Sequence, residues 1–134
     1  MLIKYAFAIC LVFTIVSCNN LKNRVREAVW VDIPYAVDKG VDDSNRRLSF
    51  VTKQKNYALV DSVNEIGFND KYLIVLSNKG SNDTLKYWIV DKSIQDLAKI
   101  EKKENIDGPM GFLQFSQKKK SLNIDTLAFT VEIK

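Results

Sequence analysis

Five consecutive apolar residues, Tyr72-Leu73-Ile74-Val75-Leu76, stand between two segments rich in turn residues, Gly67-Phe68-Asn69-Asp70 and Asn78-Lys79-Gly80-Ser81-Asn82-Asp83. A short unbroken apolar run with such flanks reads as a central strand covered on both faces. Leu85 to Val90, rich in aromatic and β-branched residues, reads as its partner across a hairpin loop. Three further strands are expected before this pair. Ala28 to Val37 alternates apolar and polar residues, with Pro34 confining it to an edge; Leu48 to Thr52 and Tyr57 to Ile66 follow.

After Asp91 the period changes. Ser93 is placed to cap a helix carrying Ile94, Leu97 and Ala98 at helical spacing. Asp107-Gly108-Pro109 is placed to start a second helix, with Pro in its first turn and Phe112, Phe115, Lys119 and Leu122 along one face. Leu127, Phe129, Val131 and Ile133 then alternate with polar or small residues, the pattern of a half-buried strand. The order predicts an α+β fold: a mostly antiparallel sheet of about five strands with one or two helices packed on one face.

The first eighteen residues follow a different rule. Lys4 precedes an apolar run from Tyr5 to Val16, and the segment closes as Ile15-Val16-Ser17-Cys18. The run is too short for a membrane span, which needs ~20 apolar residues. A positive charge followed by a short apolar core is the pattern of an export signal, and its ending has the form of a bacterial lipobox. The expected organisation is a lipoprotein signal peptide at 1–17, a lipidated tether at 18–27 starting with Cys18, and one globular domain at 28–134. Acyl chains on Cys18 would hold the protein to a membrane. The residues after Cys18, Asn19-Asn20-Leu21-Lys22, lack both an adjacent Asp and an acidic cluster. That places the anchor in the bacterial cell envelope, on the periplasmic face of the outer membrane where the host has one.

Residue inventory narrows the chemistry. The chain has no histidine, and its two cysteines, Cys10 and Cys18, both belong to the signal and lipid site. Ser-His-Asp and Cys-His catalysis, a Cys-based zinc site and a disulfide are therefore excluded. The formal charge of +4 is made of interspersed acids and bases, so no nucleic-acid partner is expected. No cofactor, metal or catalytic residue is assigned, and a non-enzymatic domain is favoured over an enzyme.

Asp38 to Asn45 gathers carboxylates and amides but lacks the calcium-loop order, so a solvated acidic turn is preferred. Lys118-Lys119-Lys120 is too small for a lipid-headgroup cluster and suits a helix C-terminus. Asp61, Glu65 and Asp91 read as strand-end or exposed-face residues. Tyr87, Trp88, Pro109 and Phe112 are the expected partner-binding residues, because aromatic side chains are enriched where interfaces concentrate their energy.

The segments Gly67-Phe68-Asn69-Asp70-Lys71-Tyr72-Leu73-Ile74, Tyr87-Trp88-Ile89-Val90-Asp91 and Gly108-Pro109-Met110 with Phe115 resemble an uncharacterised family of small bacterial lipoproteins. That resemblance implies an envelope location and a small domain, with no chemistry attached. Tyr87-Trp88, Gly108-Pro109-Met110 and Leu122 to Leu127 also look like the motif order of bacterial GYF-type modules, some of which bind proline-rich peptides on an aromatic surface. Here the spacer between Trp88 and Gly108 is long, and Phe129 stands near the position of the expected Trp. The combined expectation is a lipid-anchored envelope protein whose domain binds another protein in an accessory, inhibitor or immunity role. The alternative is a small-ligand carrier or carboxylate-based hydrolase in the periplasm.

Overall fold

The computed structural model describes residues 29–39, 46–78 and 85–133. The signal segment, Cys18, the whole tether and most of the acidic Asp38 to Asn45 loop lie outside the described residues. The elements are β1 (Val29–Asp32), β2 (Tyr35–Lys39), β3 (Arg46–Val51), β4 (Asn56–Val60), β5 (Val63–Phe68), β6 (Tyr72–Asn78), β7 (Leu85–Asp91), α1 (Leu97–Glu101), β8 (Ile106–Met110), α2 (Phe112–Ser121) and β9 (Val131–Glu132). They form the expected α+β fold with an antiparallel five-stranded sheet, in the order β8-β7-β6-β5-β9, and β6 at its centre. A second antiparallel sheet, β1-β2-β3-β4, is built by the N-terminal strands.

Strand β6 explains this layering. Leu73, Ile74 and Val75 are all fully buried, so both its faces are covered. Leu73 and Val75 share one core with Ile66, Val90 and the four-stranded sheet's Tyr35, Val37, Leu48 and Phe50. Tyr72 and Ile74 point the other way, into a core with Ile89, Met110, Phe115 of α2 and Ile124. Helix α1 contributes Ile100 to the core between the sheets, while its Leu97 is exposed.

Five local expectations are corrected. Ala28 to Val37 is not one strand: Ile33 and Pro34 form a turn, and β1 pairs back on β2 with Val29 opposite Val37. Proline has no N–H for a ladder, so the chain reverses at Pro34, whose carbonyl accepts from the Val51 amide at 2.9 Å. Tyr57 to Ile66 is broken at Asp61-Ser62, where Ser62 has φ 54°. Val60 and Val63 are three residues apart and both belong to the shared core, which a continuous strand of period two does not allow. The break moves the chain from one sheet to the other.

The first helix is capped by Asp96, which accepts from the Ala98 amide at 3.0 Å. Ser93 instead donates its amide and hydroxyl to the Asp91 carboxylate, at 3.0 and 2.6 Å. Pro109 lies within β8, not at a helix start, and α2 begins at Phe112 after Gly111. Both X-Pro peptides, Ile33–Pro34 and Gly108–Pro109, are cis. Finally, the C-terminal strand shrinks to Val131–Glu132. Leu127 and Phe129 pack on the α2 side, whereas Val131 and Ile133 join the core between the sheets, so this segment passes from one side of the sheet to the other and pairs with β5 only over Val131–Glu132.

That crossing depends on Gly67. A Cβ there would overlap the Ala128 carbonyl oxygen well inside van der Waals contact and would also touch Ile74. Gly67→Ala is therefore expected to destabilise the fold by about 1–3 kcal/mol through overpacking, measured by denaturant unfolding.

A second prediction comes from Tyr35. Its ring is fully buried, edge-on to Phe50 at 5.4 Å, and its hydroxyl has no hydrogen-bond partner among the described residues. Burial, reinforced by Asp91 and Asp32, pushes its pKa up to about 12. The folded state therefore keeps this proton after the unfolded chain begins to lose it near pH ~10. Its contribution to stability is flat below that pH and falls between ~10 and ~12, by of order 1 kcal/mol per pH unit. Tyr35→Phe should remove this component of the alkaline loss while changing neutral-pH stability little, as read by unfolding of both proteins across pH 7–12.

Candidate functional site

Strand alternation decides which aromatic residues meet. Tyr87 faces α2, and its ring stacks on Phe115 at 4.7 Å. It also meets Phe112 edge-on at 5.8 Å and lies 6.3 Å from Phe129. Phe115 is buried, but Phe112 is 67 % exposed and the next residue, Leu113, is 72 % exposed. Leu85, two residues before Tyr87 and hence on the same face of β7, is 45 % exposed. Together they place large apolar side chains at the surface beside an aromatic cluster anchored in the core.

Trp88 does not belong to this surface. One residue along from Tyr87, it points to the opposite face of the sheet, against the core between the sheets. Its indole Nε1 donates to Ser77 Oγ at 2.8 Å, and Ser77 is fully buried. The ring lies over Gly108, where φ is +139° and a Cβ would approach the indole to 2.8 Å. Trp88 is half-buried and its polar atom is satisfied inside the fold. Pro109 is exposed on β8, next to Met110, which pairs with Tyr87. The structure thus brings Tyr87 and Phe112 together, sets Pro109 on the neighbouring strand, and separates Trp88. Leu113 was missed because it lies off the buried face of α2; its position directly after Phe112 was the available signal.

The charged candidates resolve into local pairs. Lys118 pairs with Asp107 at 3.3 Å, and Lys119 donates to the Leu127 carbonyl at 2.6 Å while lying 5.4 Å from the Phe115 ring centre. Two of the three lysines thus hold α2 to its surroundings. Arg47 Nε donates to Asp61 at 2.8 Å on the exposed end of the four-stranded sheet, and this carboxylate raises the Arg47 pKa. Burial pushes the Asp38 carboxyl up, opposed by Arg47. Among the described residues no group of three or more carboxylates stands close enough to hold a metal ion, and no helix is long and apolar enough to cross a membrane.

No protein-family model, curated protein or solved structure matches this chain.

The two aromatic environments predict opposite mutational behaviour. Trp88→Ala should cost about 3–5 kcal/mol, because it opens a cavity and removes the indole hydrogen bond to the buried Ser77 hydroxyl. Phe112→Ala should cost about 1 kcal/mol or less, the worth of an exposed ring contact. Thermal and denaturant unfolding of the two variants checks the contrast.

Proposed function

We propose that this chain is a lipid-anchored lipoprotein of the bacterial cell envelope whose domain binds another protein through the surface around Tyr87, Phe112 and Leu113. The anchoring half rests on the signal and lipobox ending at Cys18. The binding half rests on one observation: Phe112 and Leu113 stand adjacent and largely solvent-exposed on a helix that stacks Phe115 on Tyr87 of the sheet and pairs Lys118 with Asp107 of β8. Exposed apolar side chains that adjoin one another, backed by buried aromatic residues, are the composition of an interface centre. The absence of histidine and of a usable thiol supports a binding role over an enzymatic one, and the accessory, inhibitor or immunity role follows from small size and tethering. Pro109 borders this surface; Trp88 supports the fold behind it.

The anchor and the surface are separable experimentally. Cys18→Ala should abolish incorporation of a fatty-acid label and release the protein from membranes, whereas Phe112→Asp with Leu113→Asp should leave both unchanged. In affinity capture from detergent-solubilised envelopes of the host, the double variant should lose at least tenfold of the partner recovered with the wild type. Equal recovery by both proteins overturns the surface assignment, and label incorporation into Cys18→Ala overturns the anchor.

A further inference from the structure

The turn between β1 and β2 carries a large apolar residue. Ile33, between Asp32 and Pro34, is 54 % exposed at a place where turns ordinarily use Gly, Asn, Asp or Ser. Phe68, the last residue of β5, is 38 % exposed. One side chain links them: the Lys92 ammonium pairs with the Asp32 carboxylate and lies 5.9 Å from the Phe68 ring centre. Ile33 and Phe68 therefore stand at the same end of the fold, beside a lysine whose charge is already matched. The adjoining turn, Asn69-Asp70-Lys71, adds one exposed acid and one exposed base. The tip is apolar, with its charges balanced.

The strands fix where this tip lies. Lys92 follows Asp91, the last residue of β7, whereas Leu85 opens that strand and Tyr87 lies near its start; the two ends are roughly 20 Å apart at about 3.3 Å per residue. The layers differ as well. β1 and β2 belong to the four-stranded sheet, which covers Leu73 and Val75, while α2 covers Ile74 from the other side. The Ile33–Phe68 tip and the Tyr87–Phe112 surface thus occupy opposite ends and opposite sides of the five-stranded sheet. The chain enters β1 at Val29, four residues before Ile33 and in the same layer. Only ten residues, Asn19 to Ala28, separate that entry from Cys18, a reach of at most about 36 Å when fully extended. The first layer such a tether reaches is the one that carries Ile33, on the side away from α2. Apolar side chains kept this close to lipid are stabilised by entering the bilayer interface, in proportion to the apolar area they remove from water.

We propose that Ile33 and Phe68 dip into the interface of the bilayer that holds Cys18, and that this contact turns the Tyr87–Phe112 surface away from the membrane, where a protein partner can reach it. The proposal rests on lipid attachment at Cys18 and is independent of whether the Tyr87 surface binds a protein. Because the charges at the tip are balanced, the contact is apolar and does not depend on salt.

The test uses the full chain, processed and lipidated in bacterial cells and reconstituted in vesicles of phosphatidylethanolamine and phosphatidylglycerol that carry phosphatidylcholine brominated on its acyl chains. Beyond the signal segment the only thiol is that of Cys18, so a nitrobenzoxadiazole fluorophore can be placed singly through Ile33→Cys, Phe68→Cys or Phe112→Cys. Brominated lipid should quench the labels at 33 and 68 at least twofold more than the label at 112. Salt at 1 M, which shortens the Debye length to about 3 Å, should leave that quenching in place. Floating vesicles that carry the protein without quenching at 33 and 68, stronger quenching at 112, or loss of the effect in salt each overturn the proposal and leave the anchor intact. Protein that fails to float with the vesicles overturns the anchor and the proposal together.

Discussion

Everything in this fold depends on β6 being apolar on both faces. A strand with one polar face can end a domain at that face, but Leu73 and Val75 on one side and Ile74 on the other are all removed from water. Each face therefore needs its own cover. The four-stranded sheet supplies one through Tyr35, Val37, Leu48 and Phe50; α2 and the segment after it supply the other through Phe115, Ile124 and Leu127. Full burial of a Leu, Ile or Val side chain contributes about 1.5–3 kcal/mol each. The two covers are thus stabilised mainly by the same central strand.

The chain reaches both sides by crossing the sheet edges at sites where local geometry permits it. Ser62 turns the chain out of β4 and into β5. Gly67 lets the Ala128 backbone lie directly on β5 before the chain passes to Val131 and Ile133 on the opposite side. At the far end Lys92 ties the layers together: its ammonium donates to Asp32 of β1 and to the Asn69 carbonyl at 2.6 Å, and sits 5.9 Å from the Phe68 ring centre. With 13 % of its side chain exposed, this lysine is held in a setting where an ion pair is screened far less than at the surface.

What the sequence made legible was what depends on local pattern. The central position of β6 follows from an unbroken apolar run, and the β6–β7 hairpin from the turn residues between two strand-like segments. What it concealed depends on which layer a residue joins. Tyr57 to Ile66 alternates well enough to look like one strand, because nothing local shows that Val60 and Val63 must reach one core from two sheets. Pro109 has the chemistry of a helix start, yet it sits in β8 because Val90 and Ile106 pair at the sheet edge. Tyr87 and Trp88 look like one aromatic motif until the strand assigns them to opposite faces. Asn105 carries no sequence signal at all: its burial is a product of the α1–β8 connection folding against the end of β7.

Helix α2 shows why the site was harder to read than the fold. It has no side-chain cap at Gly111 and no acidic residue in its first turn, so its start is weakly specified by local rules. Its orientation is set instead by tertiary contacts: Phe115 under Tyr87, Lys118 to Asp107, and Lys119 to Leu127. Those contacts determine that Phe112 and Leu113 face solvent at one end of the helix. They also determine that Lys118 and Leu122 border a cavity at the other. Helical spacing alone places Phe112, Phe115, Lys119 and Leu122 on one face, and by that rule Phe112 is a core residue. It is exposed because the sheet beneath the first turn offers only the edge of Tyr87, and the deeper position is already filled by Phe115. Exposure of Phe112 is thus a consequence of packing one turn away, and the surface around it is a property of the assembled layers.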